Sequence, residues 1–509
     1  MRITLISLHP EVLSIGIRML SGCLKQNGYD VRLIFLPVDD YSRHAEQRYL
    51  GDFSTVILDN LVYLCRDADL IGISLLTNYF FRAVTVTKAL QAKLDIPIVW
   101  GGPHPTAQPE QCLQYADMVC LGEGEEAVVD LVKRVSTGQR YDEIPNIWLR
   151  QGNKIQRNDP RPLIQNLDSL PMPDCDLLGQ YILENEKIRT LNADLLLQHA
   201  IFRSADEQGL TYPVLSSRGC PHNCSYCAND MWRRMYAGQR YVRRRSVEAI
   251  CDEIDHASER IPGITSINFA DDNFAARSIK SMKSFLETYM LRVKLPFSCT
   301  LSPMFAESER LDMLTRAGVF RISVGIQSAS KRILEIYDRR VSVEAAKSAV
   351  EKLERIRPNM RKPRIANYHF IVDNPYETAE DQIATLRFIL RLPRRKSALC
   401  FSLVPFPGTA IYEMMRRDGL IYDESTQIFT KDFWDHQRNF TKYWLYLFFG
   451  GVPAPVLRAL LRPALVRIVN LGRPKWLFRI IYLTLEQGYR FIGQVKQVLK
   501  RPIKAASQH

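Results

Sequence analysis

The sequence lacks several features that would classify it at once. It has no short-period internal repeat and no low-complexity tract, which excludes solenoids, collagen-like fibres and disordered linker proteins. Its 11 cysteines are not paired at regular spacings, so they do not describe a disulfide framework. Outside one cluster they read as small buried hydrophobes in a reducing compartment. The opening "MRITLISLHP" alternates like a strand and has no cleavage-type tail, so no secretory signal is expected and a cytoplasmic location is. Net charge is scarce over most of the chain. The total is +13, but residues 431–509 alone hold 14 Lys and Arg against 3 Asp and Glu. A nearly neutral body excludes a global nucleic-acid footprint and makes nucleic acid an unlikely partner. A basic C-terminal appendage is left to explain.

What is present is enough chain for about three domains, with 46% apolar residues to fill their cores. Residues 1–140 alternate strand and helix. Short runs rich in β-branched residues, at 3–8, 31–37, 70–76, 96–102 and 117–122, are separated by helix-length segments. Gly28 is placed to end the first helix, 13–27. Continuous apolar strands with crossover helices predict a five-stranded, doubly wound parallel sheet that binds ligands at its strand C-termini. Residues 141–205 read as a linker. Residues 206–425 hold a second series, with strands near 212–216, 264–270, 297–302, 320–326, 364–372 and 398–404. Six β/α units predict a partial (β/α)6 barrel with functional residues at its strand ends. Residues 426–509 read as a helical, basic C-terminal region.

The chemistry concentrates in "SRGCPHNCSYCAND" (217–230), the loop after the first barrel strand. Cys220, Cys224 and Cys227 stand at C-x3-C-x2-C spacing. Thiolates are soft ligands that suit an iron–sulfur cluster or zinc. A structural zinc needs a fourth ligand. Cys251 falls on the apolar face of a helix capped by Ser246 and reads as core. His222 lies inside the loop, where a tetrahedron with its flanking cysteines is awkward. Both metals stay open on the residues alone.

The C-x3-C-x2-C spacing, with Tyr226 before the last cysteine, resembles the signature of radical SAM enzymes. The resemblance implies that the three cysteines hold a [4Fe–4S] cluster whose fourth iron chelates S-adenosylmethionine. One electron then yields a 5′-deoxyadenosyl radical. "FADDNF" (269–274) occupies the position of the family's Gly-Gly-Glu-like segment, so Asp271 and Asp272 are expected near the methionine ammonium. "SVGIQSAS" (323–330) resembles the family's G-I-E-S-G-S segment, placing Gln327 and Ser328 near the ribose, with Gln327 replacing the usual Glu. "FIVDNPYET" (370–378) and "SLVPFPGT" (402–409) resemble the fifth and sixth strand ends.

The domain ahead of the barrel carries "LIGISLLTN" (70–78), "GGPHPT" (101–106) and "LGEGE" (121–125) at successive strand ends. "GEGEEA" (122–127) mimics a dinucleotide fingerprint, but it follows the last strand and its glutamates repel a pyrophosphate. The three segments in this order resemble the cobalamin-binding domain found before many radical SAM barrels. Cofactor contacts are then expected from Ser74, Leu75, Leu76, Thr77, Gly101, Gly102, His104, Gly122, Glu123 and Gly124. The D-x-H-x-x-G motif that supplies a lower histidine in other cobalamin proteins is absent. His9 in "SLHPEVLSIG" has the wrong spacing. Leu75, Leu76 or Thr77 are the candidates for the lower face.

The resemblance as a whole implies a methyl transfer from methylcobalamin to an unactivated carbon of a small-molecule or lipid-like substrate. It also implies an electron donor such as a flavodoxin or ferredoxin. Ring-forming enzymes share the family, and a zinc-stabilised RNA- or membrane-binding module is the reading from another class. Residues 443–501 mix aromatics, leucines and arginines. Prolines 453, 455, 463 and 474 interrupt them, so a bilayer span is not expected. The pattern suits a membrane surface, packing on the barrel, or stacking on single-stranded RNA.

Overall fold

A computed structural model of the chain describes residues 1–37, 49–200, 209–360 and 365–471. The first sheet takes β1 (Arg2–Ser7), β2 (Asp30–Phe35), β3 (Leu70–Ser74), β4 (Ile98–Gly101) and β5 (Met118–Cys120) in the parallel order β2-β1-β3-β4-β5. These strands are buried along nearly their whole length. That is what a parallel sheet covered by helices on both faces requires. The helix Ile15–Gln26 ends as its sequence dictates. Gly28 takes φ +80°, and its N–H reaches Lys25 O at 2.9 Å while that of Tyr29 reaches Leu24 O at 3.2 Å. Those two bonds satisfy the last turn's carbonyls.

The expected linker is a correction. Residues 141–205 supply β6 (Ile147–Gln151), β7 (Lys154–Gln156), β8 (Gln180–Glu184) and β9 (Lys187–Thr190). The hairpin β6–β7 extends the sheet beyond β5, and β8–β9 extends it beyond β2, giving nine strands. The five expected strands are therefore the centre of a wider sheet. The outermost strands are then β7 and β9, which are short and carry the exposed Lys154 and Lys187, features that discourage edge pairing with another chain.

The second sheet is a curled, all-parallel half-barrel. It takes β10 (Leu210–Val214), β13 (Ile264–Phe269), β14 (Phe297–Leu301), β15 (Val319–Gln327), β16 (Ile365–Val372) and β17 (Ala398–Ser402) in chain order. A small two-stranded sheet, β11 (Ser217–Arg218) with β12 (Arg243–Arg244), brackets the cysteine loop. The outer helices start on side-chain caps: Ser246 accepts from Ala249 N, Ser278 from Ser281 N and Ser342 from Ala345 N, at 3.0–3.2 Å. Thr378 and Asp381 form a full capping box.

The boundary at 425 is a second correction. A wide π turn, Ser425–Phe429, sends Ile428 and Phe429 back into the core of the first sheet. Phe429 stacks on Phe80 at 5.1 Å and meets His104 edge-on at 5.7 Å. Asn78 Nδ2 donates to Lys431 O at 2.6 Å beside it. The described part of the C-terminal region forms helices Phe440–Phe449, Ala454–Leu460 and Pro463–Leu471. Trp444 is buried, with its indole N–H on Leu457 O at 3.1 Å, and Arg395 binds the carbonyls of Phe448 and Val452. This part packs on the barrel. Residues 472–501 of the expected surface segment lie outside the described residues. Among the described residues no helix is long and apolar enough to cross a membrane.

Candidate active site

The loop between β10 and the helix Ala228–Met235 places Cys220 and Cys224 in buried positions and Cys227 in a half-buried one. The entry to that loop is pinned by Asp271. Its carboxylate accepts from Ser216 N at 3.2 Å, from Ser216 Oγ at 2.8 Å and from Ser217 Oγ. Asp271 is buried and does not line the space beside the cysteines, so its position is structural. Asp272 faces that space. Its surface belongs to the cavity, while the surrounding protein is dense enough that desolvation raises its carboxyl above the ordinary value. Ser328 is likewise turned away: it is buried, with its hydroxyl 3.1 Å from Thr385 Oγ1. Gln327 faces the cavity. It sits at a register shift in β15 with φ +71°, which a non-glycine residue rarely adopts.

The cavity has a volume of about 170 Å³, and the three cysteines share its wall with Asp272, Gln327 and Arg339. Its polar lining is under-satisfied. Asn273 Oδ1 and Nδ2, Ser302 Oγ, Gln327 Oε1, Arg339 Nε and His222 Nε2 are buried without hydrogen-bond partners among the described residues. Buried polar atoms are almost always paired, so such a concentration fits a wall built around a polar ligand. The Arg339 guanidinium stands 3.4 Å from Cys224 Sγ and 3.2 Å from Tyr226 Oη, placed to offset the charge of a metal-bound thiolate. Among the described residues no three His, Cys, Asp or Glu side chains converge on one ion position. A single zinc needs its sulfur ligands about 2.3 Å from one point. Three thiols that line one cavity fit the soft-ligand set of an inorganic iron–sulfur body. Arg339 and Asn273 had no signal in the sequence beyond their place after a strand or helix.

A second cavity, of about 350 Å³, opens at the strand C-termini of the first sheet, where the order reverses beside β1. Ser74 and Leu76 after β3, Gly101 and Gly102 after β4, and Gly122, Glu123 and Gly124 after β5 all line it. Three of the expected residues do not. Leu75 is fully buried in the core, with its N–H on Gly101 O at 3.1 Å; Thr77 opens a buried turn. His104 is buried against Phe80 and Phe429, and burial pushes its imidazole down to about 4. Alternate residues of a strand end face opposite ways, and that parity separates Leu75 from Ser74 and Leu76. His9 and Arg218, neither in the expected set, are on the cavity wall.

The two cavities meet across one ion-pair cluster. Glu123, on the first sheet, accepts both guanidinium nitrogens of Arg243 at 2.9 Å and Arg218 Nη1 at 2.9 Å. Arg218 also binds Glu125 at 2.5 Å. Burial alone would raise the Glu123 carboxyl, but Arg243 and Arg218 outweigh it and hold it below the ordinary range. Its stabilisation is therefore complete above the ordinary carboxylate value of about 4.3. It is lost as pH falls through the lowered folded value. Glu123→Gln leaves Arg243, 3% exposed, without its charge partner. The expected cost is about 3–5 kcal/mol, read as a fall in melting temperature at pH 7 that narrows in acid. A melting temperature equal to the parent's at pH 7 would refute this.

A half-barrel with three cysteines on its first loop, docked against a doubly wound domain with its own cavity, is the layout of a radical SAM enzyme with a second cofactor domain. The chain belongs to that class: residues 214–389 match the radical SAM superfamily, and residues 1–132 match the B12 binding domain. It is 27% identical over 360 residues to an uncharacterized methyltransferase of Pyrococcus horikoshii, covering 70% of this chain and 71% of that protein. It is 23% identical over 421 residues to the anaerobic magnesium-protoporphyrin IX monomethyl ester cyclase of Cereibacter sphaeroides, covering 80% of this chain but 61% of the cyclase. In fold it is similar to OxsB, a cobalamin-dependent S-adenosylmethionine radical enzyme solved with aqua-cobalamin and S-adenosylmethionine. The TM-score is 0.65 at 16% identity, covering 100% of this chain and 82% of that one.

Proposed function

We propose that the chain is a cobalamin-dependent radical SAM methyltransferase acting at an unactivated carbon of a small-molecule or lipid-like substrate. The observation that carries this reading is the closeness of the two cavities: Arg218 walls the cavity of the first sheet, and Cys220, two residues on, walls the cysteine cavity. When bound, a [4Fe–4S] cluster supplies the electron that cleaves S-adenosylmethionine, and the corrinoid supplies the methyl group.

The chain's own residues position and shield these groups. Cys220, Cys224 and Cys227 hold the cluster, and Arg339 offsets the charge of its thiolates. Asp272 accepts the ammonium of S-adenosylmethionine, and Gln327 borders the remainder of that ligand. Asp271 acts through Ser216 and Ser217, fixing where the cysteine loop begins. Asp272→Asn removes a charge-assisted bond worth about 1.5–3 kcal/mol. Affinity for S-adenosylmethionine is expected to fall about 10- to 100-fold by titration calorimetry of the reconstituted chain, with iron content unchanged. Unaltered affinity would remove Asp272 from the site.

The test of the function is product analysis after anaerobic reconstitution with a flavodoxin or ferredoxin as electron donor. Methyl transfer forms 5′-deoxyadenosine and S-adenosylhomocysteine together. The likeness to the cyclase favours ring closure as a second reading, and that forms 5′-deoxyadenosine alone. Neither product means the enzyme assignment is wrong.

A peripheral membrane contact is proposed for the C-terminal helices. Val456, Ile468 and Leu471 are exposed beside the exposed Arg458 and Arg462, a pairing that suits an anionic lipid surface. The full chain is expected to co-sediment with phosphatidylglycerol vesicles, and Val456→Glu with Ile468→Glu to release most of it. Equal sedimentation of both proteins would exclude these helices as the contact.

A further inference from the structure

We infer that Asn229 and Tyr241 are positioning residues for the iron–sulfur chemistry: Tyr241 orients the Asn229 side chain so that one amide bridges the sulfur of Cys227 and the carboxylate of Asp272. This rests on the proposed function and deepens it. Cys227 is the N-cap residue of the helix Ala228–Met235, and Asn229 stands in its first turn. That short reach brings Asn229 Nδ2 to 3.5 Å from Cys227 Sγ. The same side chain hydrogen-bonds the Asp272 carboxylate and holds it lower than burial alone would. Asn229, Cys227 and Asp272 all line the cysteine cavity.

The orientation of the amide follows from its neighbours. A metal-bound thiolate and a carboxylate accept hydrogen bonds and offer none. The NH2 end of Asn229 therefore faces them, and its oxygen needs a donor on the other side. Tyr241 is that donor, with its hydroxyl 2.6 Å from Asn229 Oδ1. A flipped amide would set its oxygen against two anions, so the network itself assigns the two ends.

Tyr241 is in turn held in place. It is buried, and the Arg233 guanidinium lies over its ring at 4.8 Å while binding the Cys220 carbonyl. Its backbone carbonyl comes so close to Gly219 that a Cβ there would stand 2.6 Å away, and Gly219 takes φ +85°. Two residues on, Arg243 in β12 holds Glu123 of the first sheet. Outer partners fixed in this way are what hold a metal ligand in one orientation.

The chemistry gives this amide two effects. Reduction by one electron, supplied by the flavodoxin or ferredoxin, adds one negative charge beside Cys227. An N–H donated to the ligand sulfur favours that charge and raises the potential. The same amide, anchored on Cys227, keeps the Asp272 carboxylate turned to the space where an ammonium is bound. One side chain thereby ties the ease of reduction to the grip on S-adenosylmethionine.

The experiment is a redox titration of the anaerobically reconstituted full chain, read by electron paramagnetic resonance without S-adenosylmethionine, and titration calorimetry with it. Asn229→Leu keeps the volume and removes the donor. It is expected to shift the one-electron equilibrium about tenfold toward the oxidised form, a fall of about 59 mV, and to weaken S-adenosylmethionine binding about tenfold. Tyr241→Phe keeps the ring beside Arg233 and removes only the hydroxyl. Both shifts are then expected in the same direction, at about threefold. Iron content is expected to match the parent in both variants. A potential unchanged in both overturns the inference even where iron content or turnover falls, since a merely structural role would lower those alone. A parent that forms neither 5′-deoxyadenosine nor S-adenosylhomocysteine sinks the methyltransferase reading, and the shift in potential still decides the pair. Methyl transfer with unshifted potentials does the reverse.

Discussion

Cys224→Ala is expected to keep the fold and lose S-adenosylmethionine cleavage entirely. Cys224 is 5% exposed, and the substitution removes only a sulfur from a wall that already borders empty space. The structural cost is therefore small. The chemical cost is not. Loss of an outer partner of a metal site costs roughly 10- to 100-fold, and loss of a ligand exceeds that. Iron content after anaerobic reconstitution should drop with the cleavage rate, while the melting temperature of the unreconstituted chain stays within about 1 kcal/mol equivalent of the parent. Cys251→Ala is the control. That residue is fully buried on the apolar face of the helix Val247–Arg260, so its loss is expected to lower stability and spare both iron and cleavage. Cleavage that survives in Cys224→Ala would overturn the cluster assignment.

Gly102→Ala is expected to weaken corrinoid binding more than about tenfold. Gly102 sits just beyond β4 with φ +108°, a conformation that L side chains rarely adopt. A methyl group there would also lie 2.7 Å from the Leu75 carbonyl oxygen. That oxygen is backbone and has no rotamer to escape into. The ends of β3 and β4 would have to separate, and both contribute wall to the same cavity through Ser74, Leu76, Gly101 and Gly102. Retention of hydroxocobalamin in equilibrium dialysis is expected to fall more than about tenfold, the loss that 1.4 kcal/mol of strain produces on its own. Iron loading at the cysteines should persist. Equal corrinoid retention would show that these glycines do not frame the corrinoid site.

The sequence made the central strands legible because a parallel sheet buried on both faces writes itself as uninterrupted apolar runs. The barrel strands were placed to within a few residues for the same reason, and Ser246 marked the start of one outer helix. The flanking hairpins were harder. β8–β9 turns through Asn185 and Glu186, both at positive φ; neither is a glycine, so the turn carries little signal. β6–β7 turns through Gly152-Asn153, a recognised hairpin pair, and was obscured by the polar residues around it. At the site, motif spacing identified which loops matter but not which way each side chain turns. Asp271 and Asp272 are neighbours in one motif, and only backbone geometry assigns the first to pinning the loop and the second to the cavity. Arg218, Arg339 and Glu123 meet their partners across long stretches of chain. No local pattern encodes such pairs.

Phe429 has a consequence for biosynthesis. The stacking of Phe80 and His104 is completed by a residue about 350 positions downstream. An emerging chain that has finished its first sheet still presents an apolar socket at that spot until the whole barrel has been translated. A fragment cut after the first domain keeps the socket open permanently, and exposed apolar surface of this kind makes partly built chains aggregate. The two halves of this protein are thus joined as plug and socket, and the socket waits on the ribosome.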